Sequence, residues 1–258
     1  GTLVSRNEEL VDGFATTGHY GSICVNKGGI VELENTSVIL EASGSEVRVQ
    51  SGGKYRMKGG ILYTKYNGYS YNYTGTEAGG EMSLTGVEVK MSLKNAGSME
   101  LVACDIHSSI SNSGTLTLVG SKVNAQTVTL NSGSTATITN TTGIGKLIIN
   151  KGCNVTIQGN DFSGTTLVLN NTPEGEIIDL SGNYWGTTDI ELIKGKIQGY
   201  DEARVLINTV LSEPNAQVFT FDSSMLGAHR VSDTAESLVL TFNAAVDAET
   251  VSENSIRL

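Results

Sequence analysis

Eight stretches of this chain repeat one octet. They read VELENTSV (31–38), YRMKGGIL (55–62), MSLTGVEV (82–89), MELVACDI (99–106), LTLVGSKV (116–123), ATITNTTG (136–143), VTIQGNDF (155–162) and IDLSGNYW (178–185). The shared pattern is apolar, any, apolar, any, small, any, any, apolar. The fifth place holds Asn35, Gly59, Gly86, Ala103, Gly120, Asn140, Gly159 and Gly182. Gly and Asn are the residues that best tolerate a positive φ, so this place reads as a turn. The eighth place holds Val38, Leu62, Val89, Ile106, Val123, Gly143, Phe162 and Trp185; only Gly143 breaks the pattern, and Ile144 beside it can take the role.

The octets start at 31, 55, 82, 99, 116, 136, 155 and 178, a mean spacing of (178 − 31)/7 = 21. A second motif precedes most of them: an apolar residue, about two polar ones, then a small residue. Val25-Asn-Lys-Gly-Gly, Val49-Gln-Ser-Gly-Gly, Leu93-Lys-Asn-Ala-Gly, Ile110-Ser-Asn-Ser-Gly, Leu130-Asn-Ser-Gly and Ile149-Asn-Lys-Gly are its copies. Each unit thus reads as a strand, a corner, a strand, a second corner and a third short strand. Short alternating strands turning at small residues suit one coil of a parallel β-solenoid, and each coil needs its neighbours to bury its apolar side. Helical repeats of this period would show apolar residues every 3.6 positions, and none do.

Composition supports a β-protein rich in corners: 31 Gly, 2 Pro, 17% charged residues and 6% aromatics among 258. The formal charge of −10 argues against nucleic acid, whose phosphates need a basic face. Cys24, Cys104 and Cys153 are odd in number and form no CxxC pair, so neither a disulfide framework nor a zinc motif is indicated. No apolar run approaches the ~18 residues of a membrane span, so no membrane insertion is expected.

Residues 1–20 precede the repeat. Ser5 followed by Glu8 suggests a short helix serving as a cap on the open end of the stack. Between the second and third octets the spacing stretches to 27, and five of the nine tyrosines, Tyr63, Tyr66, Tyr69, Tyr71 and Tyr73, stand in or beside the insertion. Insertions in a solenoid leave from its flank, often on the binding side, and tyrosine rings stack on sugars or anchor a protein. The same rings can instead fold back on the wall. Trp185, the one Trp of the chain, falls in the inward eighth column, where a bulky ring would close the end of the core.

Asn183-Tyr184-Trp185-Gly186-Thr187-Thr188-Asp189, followed by Ile190, Ile193, Ile197 and Asp201-Glu202, resembles the closing signature of secreted bacterial right-handed parallel β-helix proteins of the pectin-lyase-like kind. The resemblance covers about 20–213 and is specific at 183–189. It implies a solenoid domain at 21–213 in an extracellular or cell-surface protein, with an export signal outside these residues. Pro214-Asn215 marks a linker. The segment around Leu238, Leu240, Phe242 and Val246 resembles the opening of a bacterial Ig-like module, so 214–258 is expected to be a partial module in a longer natural protein. The expected fold is therefore all-β, a single-stranded right-handed parallel β-helix.

Such solenoids include polysaccharide lyases and glycoside hydrolases, whose outer walls carry carboxylates and often a basic residue or calcium. Fold alone does not decide activity. Equal places in successive coils stand ~4.8 Å apart, so the columns can be searched directly. The second place pairs Glu32 with Arg56, an exposed ion pair of small worth. The seventh place gives Glu88, Asp105 and Lys122 in adjacent coils, and two residues on stand Lys90, His107 and Asn124. Neighbouring carboxylates can act as acid and base, or hold Ca²⁺ with Asn124. The plain alternative is a solvated wall of alternating charge. No Ser-His-Asp set, phosphate loop or HExxH motif is present, and no cofactor beyond a possible calcium is indicated. The function expected is a non-catalytic stalk or adhesin whose tyrosine loop contacts an extracellular glycan or a host or cell-surface protein. The alternatives are a polysaccharide lyase or hydrolase using Glu88, Asp105, His107 and Lys122, and a purely structural spacer.

Overall fold

The computed structural model describes residues 2–5, 22–41, 45–65, 74–170 and 176–215. Three parallel walls build a β-solenoid of about seven turns. Wall I has nine strands, from Ile23–Val25 to Ile197–Gln198; wall II has seven, from Ile30–Glu34 to Asn154–Gln158; wall III has six, from Thr2–Ser5 to Lys122–Val123. From Ile23 to Val123 each coil passes through walls I, II and III in that order.

The octet alignment is the structural register. Val31, Tyr55, Met82, Met99, Leu116, Ala136 and Val155 pair in sequence across wall II. Leu33, Met57, Leu84, Leu101, Leu118, Ile138 and Ile157 do the same two residues on. All of this second column is buried except Leu33, which is partly buried and packs on the core in the first coil. Full burial of each such Leu or Met contributes roughly 1.5–3 kcal/mol, so the stack is held chiefly by this spine. Val38, Leu62, Val89, Ile106 and Val123 form the matching column of wall III. Ile144 is 1% exposed and supplies the side chain that Gly143 lacks.

The fifth place turns in every octet. Its eight residues all have φ between 46° (Asn35) and 72° (Gly159), including Ala103 at 51°. A methyl group in that region is strained by about 1 kcal/mol, so Ala103→Gly is expected to raise stability by about 0.5–1 kcal/mol in urea denaturation. A lowered midpoint would show that the Ala103 side chain has a packing role there.

The second motif is corrected in two coils. Leu93 and Ile110 do not lie beside Val49 and Leu130. Leu93 pairs with Thr74 and Ile110 with Val128, so the column of Val25 and Val49 continues as Thr76, Asn95 and Asn112 before returning to Leu130 and Ile149. The cause is a shortened corner. Four residues separate walls I and II in the longer coils, as in 50–53, but only Ala96-Gly97 and Ser113-Gly114 do so in these two. Buried Asn side chains replace the missing backbone. Asn95 Oδ1 accepts from the Gly97 N–H at 3.1 Å and Asn112 Oδ1 from Gly114 at 3.2 Å, as in an Asx turn. Asn95 Nδ2 also donates to Asn112 Oδ1 at 2.7 Å, which links the coils.

A second polar file runs inside the corner between walls II and III, at the sixth octet place. Cys104, Ser121, Thr141, Asn160 and Asn183 are all buried. The backbone N–H of Cys104 donates to Ser121 Oγ, that of Thr141 to Asn160 Oδ1, and that of Asn160 to Asn183 Oδ1. Burial pushes the Cys104 thiol up to about 11, which makes it an inert filler rather than a nucleophile.

At the start, Thr2–Ser5 is a strand paired with Ser37–Leu40, and the helix expected to follow Ser5 lies outside the described residues. At the other end, Asp189 caps the helix Ile190–Gly195 by accepting from the Glu191 and Leu192 N–H groups. Two-residue strands at Val205–Leu206 and Val210–Leu211 then pair with Ile178–Asp179 and Asn183–Tyr184. The expected Ig-like segment beyond Asn215 lies outside the described residues.

Candidate functional site

The outer face of wall III carries two adjacent columns. One runs Ile61, Glu88, Asp105, Lys122. The other begins Ile39, Tyr63, Lys90. It continues through His107 and Asn124, whose N–H groups donate to Val89 and Ile106 carbonyls and so extend the same ladder. Strand alternation explains the arrangement. Val89, Ile106 and Val123 point inward, so the residues on either side of each point outward.

Three of these side chains converge. The ligating atoms of Glu88, Asp105 and His107 all lie within 4.8 Å of one another. His107 Nε2 stands 3.2 Å from Asp105 Oδ2 and 3.5 Å from Glu88 Oε1. Neither approach has hydrogen-bond geometry, and Nε2 is buried without a hydrogen-bond partner. Lys90 Nζ reaches Glu88 Oε1 at 2.6 Å, and Asn124 Nδ2 donates to Asp105 Oδ1 at 2.5 Å. The side chains are 10%, 22% and 36% exposed for Glu88, Asp105 and His107, so the imidazole is the most exposed member while its Nε2 stays covered.

The columns read from the sequence thus bring Glu88, Asp105, His107 and Asn124 together. Lys122 is in register beside Asp105 but is exposed and makes no ion pair among the described residues. The one group that approaches both carboxylates is the imidazole, while Asn124 turns its amide nitrogen, not its carbonyl, toward Asp105. As an oxygen cage for Ca²⁺ the set is therefore incomplete: two carboxylates and one nitrogen donor. Of the tyrosine group, Tyr63 is partly buried in wall III; Tyr66, Tyr69, Tyr71 and Tyr73 lie outside the described residues. Sequence reasoning treated the tyrosine insertion and the charged patch as separate surfaces. Tyr63 follows Leu62 as Lys90 follows Val89, and that equal offset was the signal that they share a column.

The Glu32–Arg56 pair forms at 2.7 Å with both side chains well exposed, and it contributes about 0–1 kcal/mol. Among the described residues no helix is long and apolar enough to cross a membrane. What the fold and register define among the described residues is a parallel β-solenoid with one mixed carboxylate–imidazole cluster on its third wall. Compared with known proteins, the chain matches no family model, no curated protein and no solved structure.

Proposed function

We propose that the chain is a non-catalytic extracellular or cell-surface module, a stalk- or adhesin-like rod that presents wall III to a glycan or to a protein surface. The observation that carries the reading is the register of Tyr63 beside Lys90, next to His107 and Asn124. It sets an aromatic residue in register with a row of hydrogen-bonding groups, and the tyrosine insertion follows the same strand, Ile61–Thr64, in sequence. Sugars are held by such pairings of an aromatic face with polar side chains. The rest of the scaffold suits a rod: a solid apolar spine and an outer wall II whose middle coils carry Thr115, Thr117, Thr135, Thr137 and Thr139. The right hand of the coil and the pectin-lyase-like lineage belong to the same reading, supported by the closing stretch 183–189.

The test is a glycan array probed with the protein and with Tyr63→Ala, Tyr66→Ala and Tyr69→Ala. Specific binding that falls at least tenfold in these variants is expected. Binding that is unchanged would remove the wall and its loop from the interaction, and a blank array would leave a structural spacer.

The adjacent carboxylates favour a second reading, a polysaccharide lyase or hydrolase. Glu88 and Asp105 are direct register partners, with His107 between their oxygens. That reading requires turnover of an acidic or neutral polysaccharide that disappears in Asp105→Ala and Glu88→Ala. Digestion surviving both substitutions rejects it.

A further inference from the structure

We infer that Glu88, Asp105 and His107 form a binding site for a first-row transition-metal dication, of which Zn²⁺ is the type, rather than for Ca²⁺. This goes beyond the glycan reading and does not depend on it. The acidic pair alone would not justify the inference; the imidazole does. His107 Nε2 is buried, has no hydrogen-bond partner, and points between two carboxylate oxygens. With the proton on Nδ1, a lone pair faces two anions. With the proton on Nε2, the N–H finds no aligned acceptor. Both are costly arrangements for a buried polar atom, and a cation between the three groups relieves both.

The spacing agrees. Four donors at ~2.0–2.1 Å around a tetrahedral ion stand ~3.3 Å apart. The two edges from Nε2, 3.2 Å and 3.5 Å, bracket that length. A larger ion in a six-coordinate shell gives similar edges, so donor chemistry decides the identity. Imidazole nitrogen suits zinc and its neighbours, whereas calcium takes oxygen. Three protein donors leave one position of a tetrahedral ion for water or a further ligand, the ligand count of an accessible rather than a closed structural site. Asn124 holds Asp105 from behind through Oδ1, which leaves Oδ2 for the ion. Lys90 is the competitor: its ammonium sits on Glu88 Oε1, the oxygen nearest the imidazole.

The test is calorimetric titration of the whole chain with Zn²⁺ at neutral pH, beside His107→Gln and Lys90→Gln, with circular dichroism confirming that each variant keeps its sheet signal. His19, His229, Cys24 and Cys153 can take up zinc elsewhere, so the readout is the difference between variants. The wild type is expected to bind one equivalent more than His107→Gln, at micromolar affinity or tighter. Lys90→Gln is expected to bind that equivalent at least threefold more tightly, because a competing cation is gone. Ca²⁺ in hundredfold excess is expected to leave the equivalent in place. Equal uptake by the wild type and His107→Gln, or displacement by Ca²⁺, overturns the inference. A loss of the site with no gain in Lys90→Gln overturns the competitor role assigned to Lys90.

Discussion

Trp185→Ala is expected to lower the unfolding free energy by about 3–5 kcal/mol, among the largest single-residue effects in this chain. The indole is fully buried and is the largest fully buried side chain among the described residues. It meets Phe162, its counterpart in the coil below, edge to face with ring centroids 5.1 Å apart. Aromatic pairs of this geometry add about 0.5–1.5 kcal/mol beyond area burial. The position matters as much as the size. In the first five coils the eighth place is filled by Val, Leu or Ile and roofed by the next coil. After Trp185 the coils shrink to two-residue strands, so the ring fills space that later residues do not. The loss should extend past the ring. Lys196 Nζ donates to the Trp185 and Ser163 carbonyls at 2.6 and 2.8 Å and so ties the end of the helix to this corner. Trp185→Phe should cost much less, under about 2 kcal/mol, because the indole N–H has no partner and its removal relieves a buried orphan. Urea denaturation followed by circular dichroism measures both. A cost below about 1 kcal/mol for the alanine variant would show that the last coils, rather than the indole, close the core.

How much of this was readable in advance depended on whether a column was uniform. The inward first, third and eighth places are apolar in nearly every coil, so period and register followed from counting, and even the gap at Gly143 was filled by the residue expected. The fifth place was legible for a backbone reason, since φ is positive there whatever the neighbours do. The polar files were not legible. The sixth octet place changes from Val87 through Cys104 and Ser121 to Asn160 and Asn183, and a set so mixed reads as free surface. It is buried because the turn before it folds the corner inward, which no alternation rule encodes. Asn95 and Asn112 hid for the opposite reason. The small residues after them matched the corner motif, but the corner had lost two residues, and the apolar anchor was assigned two places too early. At the surface, the convergence of Glu88, Asp105 and His107 followed from the column alignment. The orphaned Nε2 did not, because it depends on side-chain angles rather than register.

The polar file makes the last prediction, that Asn183→Ala destabilises the solenoid by roughly 3–5 kcal/mol although it removes only a small side chain. Asn183 Oδ1 accepts from the Asn160 backbone N–H at 3.0 Å and from Asn160 Nδ2 at 2.9 Å. Its Nδ2 donates to the Ile157 and Leu180 carbonyls at 3.0 and 2.9 Å. Both asparagines are fully buried, so water cannot take over these bonds without opening the corner. Each stranded group costs ~1–3 kcal/mol, and at least two are stranded: the Asn160 N–H and the Ile157 carbonyl. Asn183→Asp should be no better, since it restores the acceptor but buries a charge and loses both donations. Cys104 gives the comparison within the same file. Its neighbour in the coil below is Val87, and its thiol makes only weak contacts to the Leu84 and Val102 carbonyls at 3.3 and 3.5 Å. Cys104→Val keeps the volume, strands little, and should cost under about 1.5 kcal/mol. Urea midpoints of the two variants separate the mechanisms. If stability follows buried volume alone, the two changes will look alike; if it follows hydrogen bonds left unmade, Asn183→Ala will be worse by several-fold, and the file will behave as the seam that fixes one coil over the next.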